Sequence, residues 1–199
     1  MIIGRSHTML FSLLLASALI APANTAQADS NQQTLEELFA NRTTQSAQHA
    51  QFVEIRTIGE LDLPLESRGE LHFEPPATLR KKTLAPLAET MELTGDSLSI
   101  TINGTTRSLP LDAVPAAAAL ASALRGLLAG NAADVEAHFK MEFSASDASA
   151  WTLHLTPISR SVSNVLEQMT VSGAGTRIAQ IEIRQTNGDE SVMRILSSS

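Results

Sequence analysis

The stretch from Ser67 to Thr106 constrains the fold more than any other part of the chain. Leu71 and Phe73 alternate with Glu70, His72 and Glu74, the period of two that puts one set of side chains on each face of a strand. Pro75 and Pro76 end that run, because neither can donate to a strand ladder, and Pro86 ends the next. Met91 and Leu93 then alternate with Thr90, Glu92 and Thr94. Gly95-Asp96 is a tight turn, with glycine supplying a positive φ at little cost. Leu98, Ile100 and Ile102 alternate with Ser97, Ser99 and Thr101. The pattern predicts an antiparallel meander with one greasy face and one polar face, and the greasy face needs a cover.

The segment from Asp112 to Gly130 supplies a candidate. Asp112 is the expected N-cap, Pro115 belongs in the first turn, and Gly130 is the expected stop. Val114, Ala117, Leu120, Ala121, Leu124, Leu127 and Leu128 follow at helical spacing, and Arg125 is the one charge between Val114 and Ala129. So little polar surface requires cover on most of the circumference. A fixed core helix and a mobile lid over a cavity need the same face, so the pattern leaves both open.

The remaining segments are mostly extended. Phe52, Val53, Ile55 and Ile58 predict a long strand beside residues 69–74, and Leu61 to Leu65 is an apolar link read as a covered edge or a cavity mouth. Residues 105–111 give a further short extended piece. Ala137, Phe139, Met141 and Phe143 predict another strand, as do Trp151, Leu153 and Leu155 before Pro157. Leu166 to Val171 turns at Gly173-Ala174-Gly175 into Ala179, Ile181 and Ile183, and Asn187-Gly188 signals a closing hairpin to Val192–Leu196. Strands and helices do not alternate, which excludes a parallel sheet. The expected fold is α+β: one large curved antiparallel sheet with two or three helices. One of these is a short helix over Leu35, Leu38 and Phe39, opened by a capping box of Thr34 and Glu37.

At the front, Arg5 and His7 precede an apolar run from Met9 to Ile20, and Ala26-Gln27-Ala28 is an A-x-A cleavage site. The expected organisation is a cleavable secretory signal peptide over residues 1–28 and a single domain over 29–199. No cysteine is available for disulfides, thiolate chemistry, Cys-type metal sites or a lipidated N-terminus. The net charge of -7 gives a nucleic-acid role no support.

Catalytic patterns are absent from the sequence. The five histidines form no metal-binding spacing, and His72, His138 and His154 are expected as solvated side chains on polar strand faces. Asp62 with Glu66, and Asp189 with Glu190, read as loop charge. Gly173-Ala174-Gly175 lacks the third glycine and the helix of a dinucleotide fingerprint. Arg80-Lys81-Lys82 reads as a solvated strand edge or a contact for acidic headgroups. No enzyme activity, metal or cofactor is expected.

The order of Gly69-Glu70-Leu71, Pro75-Pro76, Pro86 and Gly95-Asp96-Ser97-Leu98 resembles the outer-membrane lipoprotein carrier family LolA. Phe52-Val53-Glu54 is similar to the family's F-x-Q, Trp151-Thr152-Leu153 to its tryptophan strand, and Asn187-Gly188 to its last turn. The chain departs where Pro75 stands for the family's arginine, Lys81 for a strand aromatic and Thr94 for an acidic residue. The resemblance implies an unclosed antiparallel β-barrel whose helices cover the concave apolar side. It implies a soluble periplasmic carrier, working as a monomer, that takes acyl chains of lipoproteins or lipids from an inner-membrane donor to an outer-membrane acceptor. Divergent relatives are associated with fatty-acid or aryl-polyene lipids, so a non-lipoprotein cargo is an alternative. A non-transporting structural or interaction module is another.

On that footing, the expected cavity lining is Phe52, Leu71, Phe73, Met91, Leu93, Leu98, Ile100, Phe139, Met141, Trp151 and Leu153, with Leu120, Leu124 and Leu127 from the helix.

Overall fold

The first and last strands of the sheet in sequence order meet in its middle. A computed structural model describes residues 35–41, 48–76, 78–145 and 150–196. The signal-peptide reading and the Thr34 cap lie outside the described residues. The first half of the sheet is β1 (Gln48–Thr57), β2 (Leu65–Glu74), β3 (Thr78–Ala85), β4 (Glu89–Thr94), β5 (Ser97–Ile102) and β6 (Thr105–Pro110). The second half is β7 (Phe139–Ala145), β8 (Ala150–Pro157), β9 (Leu166–Ala174), β10 (Arg177–Gln185) and β11 (Glu190–Leu196). Each half is an antiparallel meander, and β1 pairs with β11 to join them, with Phe52 opposite Ile195. The 11-stranded sheet stays unclosed, with β6 and β7 as its edges. Both expectations for the fold hold: α+β class, and a curved, unclosed antiparallel barrel.

Helices fill the opening. The short helix α1 covers 35–40, and the chain passes from β6 to β7 through α2 (Pro115–Ala129) and α3 (Ala132–Glu136). A last turn, α4 (Arg160–Ser163), lies between β8 and β9. There are thus four described helices where two or three were expected. Residues 132–136 form α3, capped by Asn131 Oδ1, which accepts from the Ala133 N–H at 3.2 Å, so the strand begins at Phe139 and not Ala137. Asp112 is not the N-cap of α2. It sits in a 3-10 turn (Leu111–Ala113), and Val114 takes the cap position without a side-chain bond. The reason is Pro115 at the first helical position, which keeps the preceding residue out of the helical region. Gly130 ends α2 at φ 75°, as its position suggested.

The core explains why α2 lies where it does. Ala119, Ala123 and Leu127 are buried in a cluster with Phe139, Trp151, Leu153, Met169 and Val171 from the second half. Ala121 joins Leu98 and Leu111 from the first half. Small residues on two sides of the helix thus let it approach both halves of the sheet, which suits a helix bridging two free edges. Each half also uses one glycine to admit an aromatic. Phe52 lies opposite Gly69, and Trp151 opposite Gly173. A Cβ at Gly69 would meet the Lys82 carbonyl oxygen at 1.9 Å, and one at Gly173 would meet the Trp151 ring at 2.6 Å.

Two further expectations change. The run Arg80-Lys81-Lys82 is not a strand edge, because β3 pairs with β2 on one side and β4 on the other. Alternation sends Arg80 and Lys82 outward and Lys81 inward. The link from Leu61 to Leu65 is neither covered nor a cavity wall: Leu61, Leu63 and Leu65 are exposed, Leu63 at 77%.

Candidate functional site

Beneath α2, between the centre strands of the two halves, lies a cavity of about 660 Å³. Leu71 and Phe73 of β2 form one wall. Ile181 and Ile183 of β10, with Met193 and Ile195 of β11, form the other. Leu124 and Leu128 of α2 close it from above. These positions recur at every second residue because a pleated strand shows one face to the concavity. The size falls within the range that buries most of a small ligand's surface, and the lining is largely apolar, as in such pockets generally.

Of the residues expected to line a cavity, the structure places Leu71, Phe73 and Leu124 in this wall. Phe52 is buried under Lys81, whose Nζ lies 5.1 Å from the ring centroid. Met91, Leu93, Leu98 and Ile100 pack together with Leu111 and Ala121 on the flank of β4 and β5. Leu120, Leu127, Phe139, Met141, Trp151 and Leu153 belong to the other packed cluster. Trp151 Nε1 donates to the Gly175 carbonyl at 2.7 Å, which fixes the ring there. The flank residues therefore hold α2 in place, while the cavity sits over the centre strands. Ile178, Ile181, Ile183, Met193 and Ile195 line it, although the sequence places none of them in a cavity. The alternation of Ile181 with Ile183 and of Met193 with Ile195 is no different from that of the flanks, and a register shift between Ile178 and Gln180 brings Ile178 to the same face. What sets them apart is their place beside the β1–β11 seam, which no local pattern announces.

One part of the wall is charged. Glu54 is 7% exposed, and Lys81 Nζ donates to its Oε2 at 2.5 Å. Ser191 Oγ donates to Oε1 at 2.6 Å and Ser67 Oγ to Oε2 at 3.3 Å. Glu54, Lys81 and Ser191 all face the cavity. Burial pushes the Glu54 carboxyl up. The Lys81 charge and hydrogen bond, the Ser191 hydroxyl and the more distant Arg56 outweigh it, so the carboxyl stays below its ordinary value and is ionised at neutral pH. The pair is thus a fixed, satisfied dipole in a largely apolar wall that also carries Gln48, Arg177 and the two histidines His49 and His72. It joins β1 to β3 across β2, and Lys81 stands at the position where the resemblance called for an aromatic.

The arrangement suits binding. Among the residues facing the cavity, the one carboxylate with a resolved shift is locked to a lysine and two hydroxyls, so its proton affinity is lowered, unlike that of a general acid. No helix among the described residues is long and apolar enough to cross a membrane.

A family model described as outer membrane lipoprotein carrier protein LolA-like matches residues 22–197. No curated protein matches the sequence. Among solved structures, a LolA superfamily protein from Nitrosomonas europaea is 13% identical, covering 85% of this chain and 94% of that one at a TM-score of 0.46. The lipoprotein LppX from Mycobacterium tuberculosis is 10% identical, covering 82% of this chain and 93% of that one at a TM-score of 0.43. Likenesses this distant identify neither cargo nor mechanism.

Proposed function

The chain belongs to the LolA-like outer membrane lipoprotein carrier family, and we propose that it carries acyl chains of lipoproteins or lipids in the cavity beneath α2. In this reading residues 1–28 are a signal peptide and residues 29–199 act as a monomeric periplasmic domain. It receives cargo from an inner-membrane donor and yields it to an outer-membrane acceptor. Its work is binding and release, not catalysis. The observation that supports the reading is the apolar cavity itself, set between the two half-sheets and roofed by Leu124 and Leu128.

The energetics are adequate. Burying an acyl chain of about a dozen carbons at about 0.8 kcal/mol per CH₂ supplies on the order of 10 kcal/mol before ordering costs. Release then needs either a partner or a movement of the roof, because a ligand held that firmly leaves slowly on its own. Arg125 of α2 donates from Nη1 to the Gly95 carbonyl at 2.8 Å, so the roof is tied to the β4–β5 turn by a bond that can open. The charged pair in the wall favours a second reading of the cargo. A lipid carrying a polar group along its chain would meet Glu54 and Lys81, which a plain acyl chain would leave unused.

Titration of the delipidated protein with a fluorescent fatty acid tests the proposal. Saturable binding to wild type, reduced in Ile183→Trp, where the indole intrudes into the cavity, is the expected result. No binding, or equal binding by both proteins, contradicts it.

A further inference from the structure

The register of β1 and β2 creates a second constellation, on the polar face of the strands at the rim of the cavity. His49 and His72 are direct cross-strand partners, and Glu70 precedes His72 by two positions on the same face. Their ring centroids lie 4.3 Å apart at an interplanar angle of 35°. His72 Nε2 is 3.7 Å from Glu70 Oε2, and one ligating atom from each of the three residues lies within 4.8 Å of the other two.

We propose that His49, Glu70 and His72 form a binding site for a divalent transition-metal ion of the Zn²⁺ class on the polar face of β1 and β2. The geometry is one that a strand pair provides readily. Positions i and i+2 give two ligands on one face, and the directly opposed residue gives the third. Zinc binds imidazole nitrogen and carboxylate oxygen at about 2.0–2.2 Å, so the three groups need to close by a modest rotation from their present spacing. His49 is exposed and the other two are half-buried, so no packed core resists that rotation. Two imidazoles and one carboxylate favour Zn²⁺ or Cu²⁺ over Mg²⁺ or Ca²⁺, which take oxygen-rich shells. Three protein ligands leave a further position for water.

The surrounding charges set the strength. Lys82 stands opposite Glu70, and Arg80 opposite His72, on the neighbouring strand. Arg80 Nε donates to Glu92 Oε2 at 2.6 Å, which offsets its charge. Lys82 is the cation that opposes a metal most directly, by its register with Glu70. His49 and His72 also reach the rim of the cavity and a small adjoining cleft of about 140 Å³. A bound ion would therefore staple β1 to β2 at the rim. The site stands independently of whether the cavity carries lipid.

Calorimetric titration of the untagged full-length protein with Zn²⁺ at neutral pH tests it, with Mg²⁺ as the control and circular dichroism to verify folding. The expected result is saturation at one Zn²⁺ per chain and a raised melting temperature, with no response to Mg²⁺. Losing a mere supporting group commonly costs 10–100-fold in metal affinity, so His49→Ala and His72→Ala are each expected to cost at least about 100-fold. Glu70→Gln weakens binding less, and Lys82→Gln tightens it. Absence of Zn²⁺ uptake by wild type overturns the proposal. So does equal uptake by folded His49→Ala and His72→Ala, which would place the ion at other histidines.

Discussion

Replacing Lys81 by methionine isolates the charged wall of the cavity. The substitution keeps the length of the side chain over Phe52 but leaves Glu54 buried without its cation. Removing one partner of a fully buried pair costs about 3–5 kcal/mol, whereas exposed pairs contribute under about 1 kcal/mol. Glu54 and Lys81 side chains are 9% and 23% exposed, so the loss lies between these limits, at about 2–3 kcal/mol at neutral pH. The pH dependence carries the diagnosis. In wild type the Glu54 carboxyl titrates below its ordinary 4.5, so the pair's contribution is complete above that pH and is lost as pH falls through the lower, folded value. In Lys81→Met the lowering influence of Lys81 is gone and burial is opposed only by the Ser191 hydroxyl and Arg56, so the carboxyl titrates higher than in wild type. Acidification from neutral pH then neutralises the stranded carboxylate, and the gap between variant and wild type narrows. Urea unfolding followed through the single tryptophan, Trp151, at a series of pH values measures this directly. The double variant Glu54→Leu with Lys81→Met should recover most of the stability, since apolar isosteres often replace a buried pair without loss. A Lys81→Met deficit that does not narrow as pH falls from neutral into the acid range would refute the account of Glu54.

Five other outcomes separate the roles of the roof, the flanks and the sheet. Leu127 is 1% exposed and packed away from the cavity, so Leu127→Ala should cost about 2–5 kcal/mol in urea unfolding while leaving fatty-acid affinity per folded molecule unchanged. Leu124→Asp, facing the cavity, should weaken fatty-acid binding more than it lowers stability, and an equal loss of both would make α2 simply core. Gly69→Ala should destabilise by about 2–3 kcal/mol, because its Cβ would meet backbone at 1.9 Å. Gly95→Ala, with open space around it but φ at +54°, should cost only about 1 kcal/mol, as read from thermal unfolding. Arg125→Ala removes the bond from α2 to Gly95 and should speed exchange of a fluorescent fatty acid in stopped-flow measurements, with little change in melting temperature.

Much of this architecture was legible in the sequence because antiparallel meanders leave local marks. Alternation at Leu71–Phe73 and Met91–Leu93, with punctuation at Pro75, Pro86 and Gly95, places β2 to β5 without knowledge of their partners. Helix α2 was legible for the same reason. Its start was not, because an aspartate suited to capping competed with a proline whose ring dictates the boundary. Helices α3 and α4 span 5 and 4 residues, too few for a helical period to show. The site was harder. Leu71, Phe73 and Leu124 followed from strand and helix faces, but the isoleucines of β10 and the residues of β11 gain their role from the seam with β1, which closes the chain's two ends together. Glu54 with Lys81, and His49 with His72, meet only through strand register, so composition and spacing had marked His72 as a solvated side chain. The exposed leucines at 61, 63 and 65 show the opposite failure, where an apolar run reads as a covered edge or a cavity mouth.

Mass spectrometry of the lipid extracted from protein purified from the cells that make it tests the central claim most directly. The account predicts an acylated species in near-stoichiometric amount, reduced when Ile183→Trp narrows the cavity. Protein recovered free of lipid, or Ile183→Trp carrying the same lipid in the same amount, would contradict it.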